Sequence, residues 1–153
     1  GAQQVWLNGE NVTGELRTEA VGNMASKSSA KQPVRDKLLQ LQRDMAVRQN
    51  VVMDGRDIGT NVLPDAEVKI FLTASSAERA RRRYEELVEK GETCDIHQIE
   101  ADIIKRDEQD MNRAIAPLKQ AEDAYYLDSS ELTIDEVVDC ILKQCKEKRI
   151  WKS

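Results

Sequence analysis

Apolar residues in this chain recur at two spacings, and the alternation between the two predicts its architecture. Short apolar runs read as strands: Val5-Trp6-Leu7 and Val12 around Asn8-Gly9, then Val51-Val52-Met53, Val68-Lys69-Ile70-Phe71-Leu72 and Tyr125-Tyr126-Leu127-Asp128. The Asn-Gly pair marks a tight hairpin, which is marginal without a third partner. Helical spacing fills the stretches between. Val34, Leu38, Leu41 and Met45 fall on one face behind Pro33, a favoured first-turn residue, so a helix is expected from there to about Asn50. Thr18 is placed to cap an earlier helix that runs through about Ala30. Ser75 and Glu78 have capping-box spacing and open a helix through Lys90, which Gly91 ends. Asp95 caps the next helix, to about Arg113, with Pro117 just beyond and a short helix over 118–124. Thr133 and Glu136 form a second capping box before a helix whose face carries Ile134, Val137, Val138, Ile141, Leu142 and Cys145. The basic tail from Lys146 to Ser153, with a lone Trp151, is expected to fray.

Strands alternating with helices imply an α/β fold with a largely parallel sheet and flanking helices. Three core strands are few for such a sheet, and the N-terminal hairpin is an insert beside it.

Composition narrows the class. The chain has 153 residues, enough for one domain with a small excursion. Hydrophobic residues make up 40%, enough for a core, but aromatics only 4%, so that core is aliphatic. The formal net charge of −5 argues against general attraction to nucleic acid or membrane, while leaving room for a local basic pocket. Cys94, Cys140 and Cys145 show no Cys-x-x-Cys spacing and read as small packing residues. His97 is the only histidine, which weighs against a histidine triad or a multi-histidine metal site. No stretch approaches membrane-spanning length.

Candidate chemistry begins at Asp54-Gly55-Arg56-Asp57-Ile58-Gly59-Thr60, where an apolar run stops at two glycines. Strand carboxyl ends open onto the ligand crevice of α/β folds, and glycines let backbone approach a ligand closely. Arg56 can fork onto a phosphate, and Asp54 and Asp57 can orient it or accept from a sugar or base; a structural turn with a local Asp-Arg pair explains the pattern equally well. Arg79, Arg82 and Arg83 share one helical face, followed by Glu85, Glu86 and Glu89. This is either a solvated, ion-paired surface or a lid that lays arginines over a polyphosphate. Arg106, Asp110 and Arg113 continue the stripe begun by Ile99 and Ile103, so an apolar face turns into an Arg-Asp-Arg face. Inward-facing arginines need a partner, either an internal salt bridge or a phosphate. Arg35, in a first helical turn, opposes the helix dipole unless an anion binds there; Ser26 is a hydroxyl partner on the preceding helix. Several arginines on separate elements suit phosphoryl transfer, which runs on positioning and positive charge.

These residues together resemble bacterial cytidylate kinase, of the nucleoside monophosphate kinases. The matching stretches are Asn8-Gly-Glu-Asn-Val-Thr13, Gly22-Asn-Met-Ala-Ser26, Asp54-Gly-Arg-Asp-Ile-Gly-Thr60, Val68-Lys-Ile-Phe-Leu72, Glu78-Arg-Ala-Arg-Arg-Arg-Tyr84, Arg106-Asp-Glu-Gln-Asp110 and Asn112-Arg-Ala-Ile-Ala-Pro-Leu118. They span nearly the whole chain. The resemblance implies transfer of the ATP γ-phosphate to CMP or dCMP, with Mg²⁺ accompanying ATP, in the cytoplasm. It implies that Ser26, Arg35, Arg56, Asp57, Asp110 and Arg113 bind the monophosphate substrate, with Asp110 on the sugar hydroxyls. Arg56, Arg106 and Arg113 would be catalytic, and Arg79, Arg82 and Arg83 would belong to a lid over the ATP phosphates. Residues 1–50 would form part of the monophosphate-binding subdomain, and 51–153 part of the core, with a lid segment over about 76–113.

One departure is large. The family's Gly-x-x-x-x-Gly-Lys-[Ser/Thr] loop, which cradles the ATP phosphates, has no match in these residues. Gly22 to Ser28 ends in Lys-Ser but lacks the second glycine and is one residue short. The chain therefore reads as the C-terminal two-thirds of a P-loop-kinase-type fold, without its first strand and helix. Its exposed strand edges invite pairing, so poor stability, a dimer, or association with an N-terminal segment is expected. On this reading the isolated chain has little or no turnover. The alternatives are a non-catalytic nucleotide-binding fragment or pseudokinase and, against the net charge, an RNA-gripping module.

Overall fold

The computed structural model describes residues 4–16, 18–29 and 31–148, with the side chains of 19, 23, 26 and 29 left aside. The expected tail around Trp151 lies outside the described residues. The chain divides into two compact units, Gly1–Val51 and Val52–Ser153.

The first unit opens on the hairpin. Strands β1 (Trp6–Leu7) and β2 (Glu10–Asn11) pair antiparallel, Trp6 opposite Asn11. Asn8 and Gly9 both have positive φ, at 51° and 89°, the type I′ geometry that an Asn-Gly pair favours. Thr13 extends the hairpin by accepting from the Val5 amide at 2.8 Å. Helix α1 (Glu19–Ser29) starts after Thr18, whose hydroxyl accepts from the Val21 amide at 3.4 Å. Helix α2 (Gln32–Arg48) has Pro33 in its first turn and no side-chain cap at Lys31. The Val34, Leu38, Leu41 and Met45 stripe is present on it, and all four remain exposed.

The second unit is a βαβ arrangement. Strands β3 (Ile70–Thr73) and β4 (Tyr125–Asp128) run parallel, from Ile70 opposite Tyr125 to Thr73 opposite Asp128. The Tyr125 amide donates to Lys69 O at 2.9 Å and the Ser129 amide to Thr73 O at 2.8 Å, which extends the ladder at both ends. Phe71 and Tyr126 stack across the pair with ring centroids 6.1 Å apart. The crossover runs through α3 (Ser76–Glu89) and α4 (Ile96–Asn112), and α5 (Ile134–Glu147) follows β4.

The caps form where the sequence places them. Ser75 accepts from the Glu78 amide, Asp95 from the His97 amide, and Thr133 and Glu136 make a reciprocal capping box. The Ser75 box is half complete, because Glu78 turns to arginines while the Ser75 amide bonds Ser130 Oγ at 2.8 Å. Helix α3 ends in a Schellman motif: Gly91 N bonds Val88 O, and Glu92 N bonds Leu87 O, with Gly91 at φ 77°.

Two expectations are corrected. Val51-Val52-Met53 is irregular backbone, leaving two strands in the parallel sheet of the described residues where three were expected. Strand propensity over three residues does not suffice without a neighbour for the backbone groups. Residues 118–124 form no helix. The Leu118 amide is spent on Asp110 O at 2.8 Å, and the segment closes instead in a turn from Ala121 to Ala124.

Among the described residues the tightly buried apolar ones are few: Val62, Ala74, Ala80 and Leu127. The expected aliphatic character holds, but a two-stranded sheet covers little area. Leu72 and Val138 stay about half exposed and Ile134 is 84% exposed. The three cysteines are half-buried and unbridged.

Helix α5 carries a complete local cap at its start. Thr133→Ala removes the side-chain half of the box and should cost about 1 kcal/mol. Chemical denaturation followed by circular dichroism measures this; an unchanged midpoint would show that the box does not hold α5.

Candidate functional site

Four of the residues singled out above meet within the second unit. Helix α4 is stopped at Arg113, whose backbone turns extended at φ −66°, ψ 140°. The chain then folds back on the last turn of α4 through the Leu118 amide on Asp110 O. Inside this loop Ala116 takes a left-handed φ of 49°, an unfavourable region for a residue with a Cβ. That conformation turns Ala116 O toward Arg113 Nε, which donates to it at 2.5 Å. A cation at a helix carboxyl end also suits the helix dipole.

Asp110, three residues earlier, lies beside both arginines. Arg56 Nε sits 2.9 Å from Asp110 Oδ2, and Arg113 Nη1 sits 3.7 Å from Oδ1. Arg113 Nη2 is 3.9 Å from Asp57 Oδ1. The Arg56 contact is close in charge but not aligned along an N–H, because the buried Asp110 Oδ2 accepts no hydrogen bond. A buried carboxylate oxygen without an aligned donor is costly, and here the Arg56 guanidinium offsets that cost by charge. Arg113 gives one of its five N–H donors to Ala116 O, and its two terminal nitrogens meet carboxylates only beyond hydrogen-bond distance. The arrangement can therefore offer donors to a phosphate and an acceptor to a hydroxyl at neighbouring points. Gly55 is in close quarters, since a Cβ there would meet the Ile58 side chain at 3.0 Å.

The α3 arginines are engaged by protein groups. Arg79 forks onto Asp107 of α4 at 3.1 and 2.5 Å and donates from Nε to Ala74 O. This bidentate pair holds the Asp107 carboxyl below its ordinary value. Arg82 bonds Glu78 at 2.8 Å and Ser129 O at 2.6 Å. Arg83 pairs with Glu86, and Arg81 with Glu78 and Glu85. Glu78 is drawn down to about 2, first by the Arg81 hydrogen bonds and then by Arg82 against the opposing effect of burial. Glu86 is lowered to about 2 by Lys90 and Arg83. Arg106 is exposed and makes no ion pair among the described residues.

Ser26 and Arg35 belong to the first unit and are placed within it alone. Ser26 lies in α1, its side chain outside the described residues, and Arg35 is half-buried in the first turn of α2.

Two features escaped the sequence reading. An open cavity of about 710 Å³ lies between α3 and α5 at the carboxyl ends of β3 and β4, lined by Leu72, Glu78, Arg82, Ser129, Ile134 and Val138. That is where open α/β sheets take ligands, and the Asp128-Ser129-Ser130 turn after a strand was its available signal. The other is Asn61, whose amide donates to Asp57 Oδ2 at 3.0 Å. No described helix is long and apolar enough to cross a membrane.

Residues 1–147 match the family model described as cytidylate kinase. A cytidylate kinase of Geobacter sp. (strain M21) is 51% identical over 96% of this chain and 63% of its own length. Those of Thermosipho melanesiensis and Cupriavidus pinatubonensis are each 50% identical over 94% of this chain, and over 66% and 65% of their own lengths. The chain thus spans just under two thirds of these relatives.

Two outcomes test the geometry. Asp107 has a folded value depressed below 3.8, so its contribution is complete above that pH and is lost as pH falls through the folded value. Asp107→Asn should cost about 1 kcal/mol at neutral pH, and the gap to the parent should close in acid; a gap independent of pH would contradict the Arg79 assignment. Ala116→Gly should raise stability by about 1 kcal/mol, because glycine adopts the left-handed conformation without the Cβ penalty. A lower thermal midpoint for that variant would count against the strained loop.

Proposed function

The chain belongs to the cytidylate kinase family, and from that premise we propose that it is part of an enzyme that transfers the ATP γ-phosphate to CMP or dCMP in the cytoplasm. The observation that carries the reading is the cluster of Arg56, Asp57, Asp110 and Arg113. It sets the partly exposed Asp110 carboxylate beside terminal Arg113 nitrogens that stand 3.7 and 3.9 Å from their carboxylates. A nucleoside monophosphate presents the complement of both: ribose hydroxyls for Asp110, and a phosphate for Arg113 and Arg56. The family resemblance assigns residues 1–50, with Ser26 and Arg35, to monophosphate binding and 51–153 to the core.

Transfer would need little covalent chemistry from the protein. Arg56, Arg106 and Arg113 would stabilise charge on the phosphoryl group as it moves and keep acceptor and donor in line. Arg82, which lines the cavity past the strand ends, is suited to the ATP side; Arg79 and Arg83 share its helix. Mg²⁺ would arrive on the ATP phosphates, which it usually prefers to an all-protein cage. The carboxylates Asp57, Asp107 and Asp110 already face arginines and do not form such a cage.

A polypeptide limited to these 153 residues contains no Gly-x-x-x-x-Gly-Lys-[Ser/Thr] loop. It is proposed to bind nucleotide but turn over little, which is also what a non-catalytic nucleotide-binding fragment or pseudokinase would do.

Calorimetric titration of CMP into this polypeptide, beside a CDP-formation assay with ATP and Mg²⁺, tests both parts. Asp110→Asn and Arg113→Ala should each weaken CMP binding about tenfold, and CDP formation should be near background. Binding that ignores both substitutions would remove the cluster from the site, and brisk CDP formation would overturn the proposal of low turnover.

A further inference from the structure

Asp57 is held from two sides. Asn61 donates its main-chain amide to Asp57 O at 2.9 Å and its side-chain amide to Asp57 Oδ2 at 3.0 Å. The other oxygen, Oδ1, is the one that faces Arg113. The intervening turn, Ile58–Val62, is π-helical: Val62 N reaches Asp57 O at 3.2 Å and Leu63 N reaches Ile58 O at 2.7 Å. Such wide turns are rare and concentrate at functional sites.

The turn has a firm seat. Val62 is 4% exposed. Gly59 lies against the Lys69 stem, whose Cδ is 3.5 Å from the position a Cβ would occupy. Lys69 Nζ in turn donates to Pro64 O and to both oxygens of Asp123, at 2.9 and 2.8 Å for the latter. The register of Asn61 against Asp57 is thereby tied to the start of β3.

The chemistry of the amide matters. A neutral donor can occupy one carboxylate oxygen without neutralising the group, so the Asp57 charge stays available to Arg113. A lysine in that place would compete with Arg113, and an aspartate would repel Asp57.

We propose that Asn61 is a positioning residue of the monophosphate site: it fixes the Asp57 carboxylate so that Arg113 is held toward the acceptor phosphate. This rests on assigning Asp57 and Arg113 to that site. Asn61 does not itself touch the substrate.

The test has two independent readouts on the 153-residue polypeptide. Side-chain NMR follows the Arg113 Nε–H resonance without nucleotide, and calorimetry gives CMP affinity for the parent, Asn61→Val, Asp57→Asn and the double variant. Asn61→Val should shift the Arg113 resonance and weaken CMP about tenfold. The double variant should bind no more weakly than Asp57→Asn alone, because both changes act through one carboxylate. An unmoved Arg113 resonance, or fully additive losses, would overturn the proposal. If Asn61→Val does not fold, Asn61→Ser removes the same amide with less change at the turn. A parent chain that fails to bind CMP would sink the monophosphate reading itself, and the Arg113 resonance would then decide the role of Asn61 alone.

Discussion

The parallel pairing of Ile70–Thr73 with Tyr125–Asp128 is the constraint from which the second unit follows. Parallel strands cannot be joined by a tight turn, so the chain must return to its starting end through a long crossover. Here that crossover is α3 and α4, joined side by side through the Arg79 fork on Asp107 and the Ser76–Glu100 hydrogen bond. Because the strands end in register, the segments after them meet. Ser129 bonds Thr73 O through its amide and its hydroxyl, Ser130 Oγ takes the Ser75 amide, and Arg82 takes Ser129 O. Strand register thus sets the mouth of the cavity. The same crossover brings the end of α4, with Asp110 and Arg113, against the segment from Arg56 to Asn61.

Charge is organised differently in the two arginine groups. On α3 each guanidinium has a close carboxylate or carbonyl, at hydrogen-bond distance. Around Asp110 the terminal nitrogens of Arg113 stand 3.7 and 3.9 Å from their carboxylates, and the nearest Arg56 approach is misaligned. Long and misaligned contacts retain Coulomb attraction but leave donors and acceptors unspent. That difference, more than the number of arginines, separates a structural ion-pair surface from a place able to take a ligand.

Local interactions were the legible part. Thr18, Ser75, Asp95 and Thr133 all act on amides within three residues, so their caps could be read from spacing alone. The pairing of Asp110 with Arg113 follows from a separation of three positions on one helix. What could not be read depends on partners distant in sequence. Val51-Val52-Met53 has strand composition but no neighbour among the described residues that completes a ladder. Leu118 had a helical expectation that its amide bond to Asp110 O defeats. The π-helical turn is built from Ile58, Gly59, Thr60, Asn61 and Val62, mostly poor helix formers with no periodic signal. Nothing in the sequence marks Asn61 until its distance to Asp57 is known, and Asp107 lies on a different helix from the arginine it pairs with.

The partners on α3 also rank its arginines under the lid reading. Exposed ion pairs contribute little to stability, so Arg83 could leave Glu86 for a polyphosphate with several charges at small cost to the fold. Arg82 shares its guanidinium between Glu78 and Ser129 O, beside the cavity, and could reorient while keeping one of the two. Arg79 differs: its fork on Asp107 and its bond to Ala74 O fasten the start of α3 to α4 and to the end of β3. Withdrawing it would break a link between α3, α4 and the end of β3 before any phosphate was gained. On that reading a lid built on this helix would pivot about Arg79 and present Arg82 and Arg83, and the three arginines that share a face in the sequence would divide into one anchor and two donors.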